Sequence, residues 1–428
     1  DNTDTAIGAI NAGSSGSNDL LIKAGNNVSG TATSINSTNG GVGIIAQGNV
    51  DFKEGRSTTN LSTAVKTVDK GTFSTTKTQD RLNAQSDQAI TSNIEGNTVS
   101  IQAGQNIGLR GTNVATDKGV QLSAGGDVSI LAAQNTTSKT SSSQVKKSGL
   151  FGADGGIGFT IGKQQTDDST ASTSLTHTAS NVGAIDGNVI ITAGGKYQQT
   201  GSNLIAGMGD DSDLSLKDST RGNTVVHAKS INIDSVKDVY TNQSEQKSKT
   251  SGLTVSVSNS LIDSAKSINS LVDAGGNTDS VRMKGMAGVA GALKVKALAK
   301  EANSAGYDLL DGNLKGVGNT RIQATVGTQK NQSNSSSYNE VNQASTITTN
   351  NLSLIATDAG VDSDININGS NLNVSNDALF QADNDFNVNG VAQNSNTRST
   401  NKSSSAAIGG YASTGSGVGI TANASRAK

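Results

Sequence analysis

An internal repeat of 21 or 22 residues constrains the fold of this chain more than any other feature of its sequence. Each copy has an alternating apolar segment, an Ala, a short step of Gly, Asn or Asp, and a second alternating segment. Residues 120–130 show the whole pattern, which returns in full or in part at 20–28, 42–52, 189–195 and 380–388. A period of roughly 20–50 residues is typical of solenoids, in which each repeat packs only on its neighbours.

The alternation of apolar and polar residues predicts β-strands with one inward and one outward face. The Gly/Asn/Asp step predicts a turn, because these residues tolerate positive φ. A unit this short cannot bury its own inward face, so we expect successive units to stack about 4.8 Å apart as a parallel β-solenoid. The residues predicted to form the repeated core are Val42, Ile44, Val50, Val120, Leu122, Val128, Ile130, Val189, Ile191, Ile231, Ile233, Phe386 and Val388.

Four polar segments interrupt the repeat at regular places. Val50 precedes Gly71 by 21 residues, and the same distance separates Val128 from Gly149. The spacing recurs in two further copies, and all four intervals are rich in Ser, Thr, Asn, Gln or Lys. Alternation inside them favours extended β-hairpins that project from the coil or cap it. Loose linkers are the alternative for these segments.

One segment, residues 260–303, departs from the strand pattern. Apolar residues from Leu261 to Leu271 fall at helical spacing, and so do those that follow Gly275 and Gly276. The pattern predicts a helical insertion made of two helices. We expect this insertion to pack on the side of the solenoid. A membrane-surface helix is the alternative, since the second half is rich in Lys.

These patterns predict an all-β chain in three parts, of which the first, residues 1–259, contains β-solenoid repeats. The second part is the helical insertion at 260–303, and the third, residues 304–428, continues the solenoid. The polar excursions are predicted at about 57–95, 134–180, 241–259 and 392–428. The chain begins at Asp1 without Met or a signal peptide, so we expect it to be part of a longer protein.

Composition fits a thin repetitive core and excludes several kinds of site. Apolar residues make up 32% of the chain, too little for one large spherical core. The absence of Cys excludes disulfides, Cys-ligated metals and thiol catalysis. The net charge is −2 with Lys and Arg scattered, which predicts no polybasic footprint for nucleic acid or anionic lipid. Disorder is the alternative for so polar a chain, but it does not account for apolar runs that recur in register.

Acidic groups are the strongest candidates for an enzyme site, because some parallel β-helices bind Ca²⁺ through clustered carboxylates. The candidates are Asp210, Asp211 and Asp213, then Asp362 and Asp364, then Asp383 and Asp385. Each group lies in a Gly/Asn/Asp turn, where these residues are expected anyway, and none recurs beside an Arg. His177 and His227 are isolated on polar faces and are expected to be exposed. We therefore predict no catalytic residue, metal ligand, cofactor or small-molecule substrate.

The longest phrases of the repeat are AGGDVSILAA at 124–133, KKSGLFG at 146–152 and GIGFTIG at 156–162. Together with the Ser/Thr run between them, they resemble the haemagglutinin repeat of filamentous-haemagglutinin-type exoproteins, the secreted partners of two-partner secretion systems. Residues 252–259, GLTVSVSN, resemble the version found in contact-dependent growth inhibition proteins. The four blocks extend this resemblance over most of the chain.

The resemblance implies a rod of right-handed parallel β-helix, exported through an outer-membrane transporter and displayed on the surface of a Gram-negative bacterium. The growth-inhibition members further imply contact with the outer membrane of a target cell and delivery of a C-terminal toxin, which these residues do not contain. We expect a surface rod with no enzyme activity of its own. A haemagglutinin-type adhesin for host cells or matrix and a carbohydrate-active β-helix enzyme are the alternatives.

Overall fold

The structure is a computed structural model that describes residues 1–13, 19–152, 157–207, 222–258, 321–413 and 417–427. These residues are almost entirely β-strand, which confirms the all-β prediction. The one helical element among them is a short 3-10 turn at Gly360–Asp362. The helical insertion predicted at 260–303 lies outside the described residues.

The described strands fall into four consecutive units, each with two turns of a coil followed by one long antiparallel hairpin. A short strand, β1 (Asn2–Asp4), precedes them. Unit 1 comprises β2 (Gly8–Ala12), β3 (Leu20–Ala24), β4 (Val28–Thr31), β5 (Thr33–Ser37), β6 (Val42–Ala46), β7 (Val50–Lys53) and the hairpin of β8 (Gly55–Lys70) and β9 (Ser74–Ile90). Unit 2 comprises β10 (Ser92–Ala103), β11 (Ile107–Arg110), β12 (Thr112–Ala124), β13 (Val128–Leu131) and the hairpin of β14 (Ala133–Gly152) and β15 (Ile157–Thr178).

Units 3 and 4 repeat this arrangement. Unit 3 comprises β16 (Asn181–Ala184), β17 (Asn188–Ala193), β18 (Lys196–Thr200), β19 (Asn203–Ala206), β20 (Asn223–Ala228), β21 (Ser230–Asp234) and the hairpin of β22 (Val236–Ser258) and β23 (Arg321–Gln343). Unit 4 comprises β24 (Thr346–Thr349), β25 (Asn351–Ala356), β26 (Ile365–Asn368), β27 (Asn371–Val374), β28 (Ala378–Ala382), β29 (Phe386–Asn389) and the hairpin of β30 (Ser395–Ser413) and β31 (Gly417–Ala427).

The coil strands pair in parallel and in register, as a parallel β-helix requires. An eight-stranded sheet, from β4 to β29, forms one side of the coil. A 14-stranded sheet forms two further sides, because β10 and β12 are long enough to run along both. Equivalent residues lie above one another through successive coils, as Val42, Val99, Val120 and Val189 do. The predicted parallel β-helix is therefore confirmed.

The inward side chains of the coil form one continuous apolar cluster. Of the residues predicted for the core, all but Phe386 and Val388 are at most 2% exposed. Phe386 and Val388 are 47% and 64% exposed, so their assignment to a buried core is corrected. Both lie on β29, the last strand of its side of the coil, and no further described coil covers them.

Ladders of side-chain hydrogen bonds explain why Asn and Asp occupy the turns that precede β4, β7, β11 and β13. The Oδ1 atom of Asn27 accepts the backbone N–H of Asn49 at 2.8 Å, and Asn49 accepts that of Asn106 at 3.0 Å. The ladder continues from Asn106 to Asp127 at 2.7 Å and from Asp127 to Lys196 at 2.7 Å. Each turn therefore satisfies a backbone donor of the next coil, where a plain loop would leave it to water.

The four hairpins join into one nine-stranded antiparallel sheet, in the order β1-β8-β9-β14-β15-β22-β23-β30-β31. This confirms the predicted hairpin excursions. Two coils advance about 9.6 Å along the axis, and a two-stranded hairpin is about 9.6 Å wide, because strands are about 4.8 Å apart in both sheets. One hairpin per two coils therefore lets each hairpin pair directly with the next.

One strand of this sheet differs from the sequence expectation. Residues 304–428 are expected to continue the solenoid, whereas β23 pairs with β22 along its whole length in the hairpin sheet. Ser, Asn and Gln dominate both faces of β23 in its middle part. Such a strand offers no apolar face to the coil, which explains its place in the polar hairpin sheet.

Candidate binding surface

The hairpin sheet is a long surface outside the coil. Its longest strands, β22 and β23, have 23 residues each and are therefore about 75 Å long at roughly 3.4 Å per residue. One groove in it has a volume of about 790 Å³ and is lined mainly by Ser, Thr and Asn between Arg81 and Arg398, with Glu245 in the wall. An open groove with many hydroxyl and amide groups suits contact with another polar surface.

An ion cluster fixes the base of the first hairpin to the coil. Glu54, which is 8% exposed, receives Nε of Arg110 from the coil at 2.9 Å and lies 3.6 Å from Arg56 of β8. Arg56 also donates to Asp87 of β9 at 2.8 Å and to the carbonyl of Gln134 in β14 at 2.7 Å. The cluster thus connects one coil with two neighbouring hairpins.

A histidine lies at the base of the second and third hairpins. His177 Nδ1 is 2.9 Å from Asp238 Oδ1, and the side chain of His177 is only 6% exposed. The expectation that His177 is exposed is therefore wrong, because Asp238 of the neighbouring strand covers it. His227 does lie at the surface, where its Nε2 is 3.1 Å from Thr357 Oγ1.

Glu340 connects the third and fourth hairpins. Its carboxylate accepts a hydrogen bond from Tyr338 Oη at 2.5 Å and from Lys237 Nζ at 2.9 Å. It also accepts the backbone N–H of Asn394, just before β30, at 3.2 Å. The Tyr338 hydroxyl and then Lys237 favour the charged form and lower the pKa of Glu340 to about 2. The same bond raises the pKa of Tyr338.

Asp364 and Asp383, two of the described acidic candidates, accept hydrogen bonds within the turns of the coil. Asp364 Oδ1 accepts Nδ2 of Asn384 at 2.8 Å and the backbone N–H of Asp385 at 3.0 Å. Asp383 Oδ2 accepts the backbone N–H of Asp358 at 3.1 Å. Within the described ranges no group of three His, Asp or Glu residues could hold a metal ion. The candidates Asp210, Asp211 and Asp213 lie outside those ranges.

Tyr197 is a buried residue that sequence reasoning misses. It is 0% exposed, lies in register with Val128 of the preceding coil, and donates from Oη to Gln199 Oε1 at 3.1 Å. Burial raises the pKa of Tyr197. The repeat could have predicted its burial, because Tyr197 stands where the other copies have their first apolar residue after the turn, such as Val128. Among the described residues there is also no helix long and apolar enough to cross a membrane.

The fold and this surface define a class of repetitive β-helical proteins. In this class each unit has two coils, and a two-stranded hairpin projects from them into a shared antiparallel sheet. The chain belongs to the Hemagglutinin repeat family, which matches residues 73–210, 161–285 and 326–428. Each match begins near the tip end of a returning strand, β9, β15 or β23. Each match thus includes two coils and the hairpin strands on either side of them.

Similar proteins come from several Gram-negative bacteria. The chain is 33% identical to tRNA nuclease CdiA of Escherichia coli O6:K15:H31 (strain 536 / UPEC) over 326 residues, which is 74% of this chain and 9% of the relative. It is 31% identical over 383 residues to tRNA nuclease CdiA-2 of Burkholderia pseudomallei (strain 1026b), with 87% of this chain and 12% of the relative covered. The 16S rRNA endonuclease CdiA of Enterobacter cloacae subsp. cloacae is 31% identical over 323 residues, 74% of this chain and 9% of its own.

This chain is thus a haemagglutinin-repeat region of a CdiA-like exoprotein, in agreement with the resemblance seen in its sequence. It spans about 9% of the length of the first of these relatives. No solved structure matches it.

Proposed function

We propose that this chain is an extended cell-surface rod that engages a neighbouring bacterium and supports delivery of a toxin carried elsewhere in the parent protein. The observation that carries the proposal is the hairpin sheet, which repeats one structural unit along the coil and presents a continuous surface. Similarity to CdiA proteins also supports this proposal. The relatives are named as nucleases, and the chain covers so little of their length that the nuclease activity need not lie in this part.

The proposal includes location and partners. The parent would leave a Gram-negative cell through an outer-membrane two-partner-secretion transporter and stay at its surface. The partner of this region would be the outer membrane of the target cell, and neither nucleic acid nor a small-molecule substrate is proposed for it. The region would contribute contact and reach, with no enzyme chemistry of its own.

Binding of the labelled 428-residue chain to whole cells, measured by flow cytometry, tests this proposal. We expect saturable binding to Gram-negative bacteria, competed by unlabelled chain, and none to erythrocytes or epithelial cells. Binding to animal cells alone would contradict the proposal and favour a host adhesin. Turnover of pectin or alginate that depends on Ca²⁺ and is lost in Asp383→Asn would instead favour a carbohydrate-active enzyme.

A further inference from the structure

One face of the hairpin sheet collects most of its positive charge. Directly paired residues of antiparallel strands project to the same side, so the register defines rows that cross the sheet. The central row contains Lys77, Lys146, Lys249, Lys330 and Arg426. The two adjoining rows of the same face add Lys66, Lys70, Lys163, Lys247 and Lys402. We call these ten side chains the basic belt, and all of them are exposed.

Few negative charges offset the basic belt. Asp167 is the only acidic residue in the three rows, and its carboxylate accepts hydrogen bonds from Gln144 and Gln165, each at 2.7 Å. Glu245, one row nearer the coil, pairs with Lys247 at 2.8 Å. The two interleaved rows on the opposite face contain a single Lys, Lys147, and a single acid, Asp69. The charge is therefore segregated to one face, although the whole chain has a net charge of −2.

The basic belt weakens the fold locally. Lys146 lies directly opposite Lys77, and Lys249 lies directly opposite Lys330. Like charges in direct cross-strand pairs are destabilising. At the β31 end, Lys249, Lys330, Lys402 and Arg426 share the wall of a groove of about 560 Å³. This concentration of cations around an open space suits an anionic ligand with more than one negative group.

An apolar row borders the basic belt on the same face, one step nearer the hairpin tips. It consists of Leu150, Ile161, Leu253, Val326 and Ile408, which pair with one another in register. Their exposed fractions run from 38% for Leu253 to 63% for Ile408. Phe159 and Ile420, farther toward the tips, are 42% and 85% exposed. We call these seven residues the apolar patch; exposed patches of this kind mark interaction sites.

We propose that this face binds the phosphate-bearing surface of a lipid bilayer, with phosphates on the basic belt and acyl chains against the apolar patch. The inference deepens the proposed function, on which it rests, by naming the chemistry of the contact. Both sets of side chains form straight rows across the sheet, so they lie at two fixed depths from the tips. A bilayer has the same order of layers, with headgroups outside hydrocarbon, and long Lys side chains reach headgroups from such a position.

The arrangement favours a lipid over a soluble polyanion. A polysaccharide or nucleic acid would contact the basic belt and gain nothing from neighbouring aliphatic side chains. It also sets an orientation. The rows run across the strands, and thus along the coil axis, so the coil would lie parallel to the membrane with the hairpin tips directed toward it.

Co-sedimentation of the full chain with vesicles tests this inference. The vesicles contain phosphatidylcholine alone or equal amounts of phosphatidylcholine and phosphatidylglycerol. We expect binding to the anionic vesicles only, and a roughly thirtyfold loss in Lys249→Gln/Lys330→Gln, since each Lys near an anionic surface contributes about fivefold. This variant removes a repulsive pair, so it should fold. Lys139→Gln/Lys147→Gln removes two charges from the opposite face and should bind like the parent chain.

A second variant tests the apolar patch. Leu253→Ser/Val326→Ser should weaken binding to anionic vesicles at least tenfold while leaving binding to soluble heparin unchanged. Equal vesicle binding by the two lysine variants would overturn the role of the basic belt. Unchanged vesicle binding after the serine substitutions would overturn the lipid assignment and favour a soluble polyanion. Cell binding that persists while vesicle binding is absent would overturn this inference alone and leave the proposed function standing.

Discussion

Single inward residues carry the stability of the coil. Val128 is 0% exposed and lies between Ile107 and Tyr197 of the adjacent coils. We expect Val128→Asp to destabilise the chain by roughly 3–5 kcal/mol, because it places an unpaired carboxylate in a core one side chain wide. Thermal unfolding followed by circular dichroism measures the effect. Lys139→Ser, an exposed change in the hairpin sheet, is the control, and equal melting temperatures would show that the inward face is assigned wrongly.

Glu340 makes stability depend on pH. The pKa of Glu340 is lowered from 4.5 to about 2, so the folded state binds its proton less readily than the unfolded chain does. The stabilisation is therefore present above pH 4.5 and is lost as the pH falls toward 2. We expect the parent chain to melt higher than Glu340→Gln at pH 6, and the difference to shrink steadily between pH 4.5 and 2. A difference independent of pH would contradict the role of the charge.

Much of the coil could be predicted at the residue scale. The alternation of Val120, Leu122, Val128 and Ile130 with polar residues predicts the inward face, because successive side chains of a strand point to opposite sides. Phe386 shows the limit of the same argument. Its place in the repeat predicts an inward position, but burial also needs a covering coil, and the repeat pattern of one strand contains no information about that.

At the scale of elements, the ratio of one hairpin to two coils predicts which deletions the fold tolerates. Deleting residues 91–178 removes both coils and the hairpin of unit 2, so β9 can pair with β22 at the same spacing. Deleting residues 91–111 removes one coil and brings two hairpins about 4.8 Å too close. We expect the shorter deletion to lower Tm by more than about 5 °C relative to the longer one, or ~4 kcal/mol at this size.

Both deletions remove Arg110, so loss of its pair with Glu54 is common to the two chains. Differential scanning calorimetry gives the two melting temperatures and shows whether unfolding stays cooperative. A higher melting temperature for the shorter deletion would mean that the hairpins do not depend on the coil for their spacing.

The hairpins could be predicted as extended excursions, but their pairing could not. β22 ends at Ser258 and its partner β23 begins at Arg321, so sequence distance gives no hint that they are adjacent. Strands that are polar on both faces also specify register weakly, because a shift by one residue exchanges one polar face for another. The basic belt follows from that register. Lys146 and Lys249 appear scattered in the sequence, but the register of the folded chain places them in one row of basic side chains.

At the scale of the whole molecule, the parallel coil and the antiparallel hairpin sheet have different roles. The coil buries a narrow apolar core, and its successive turns are a constant distance apart. The strands of the hairpin sheet have the same spacing, because each hairpin starts from the coil. Surface chemistry therefore repeats along the axis at intervals that the core dictates. A row such as the basic belt is straight because the coils beneath it are in register, which relates a packing constraint to the shape of a binding surface.

The same stacking leaves an apolar surface at the β29 end of the coil. Phe380, Phe386 and Val388 are 36%, 47% and 64% exposed, and the two Phe rings lie 5.1 Å apart. Unpaired backbone groups of an edge strand beside exposed apolar side chains favour association. We expect the chain to self-associate reversibly with rising concentration, and Phe386→Ser/Val388→Ser to remain monomeric. Sedimentation velocity measures this, with Val361→Ser as a control that changes a more exposed residue (79%) outside the last coil. Association that survives the double substitution would place the contact elsewhere.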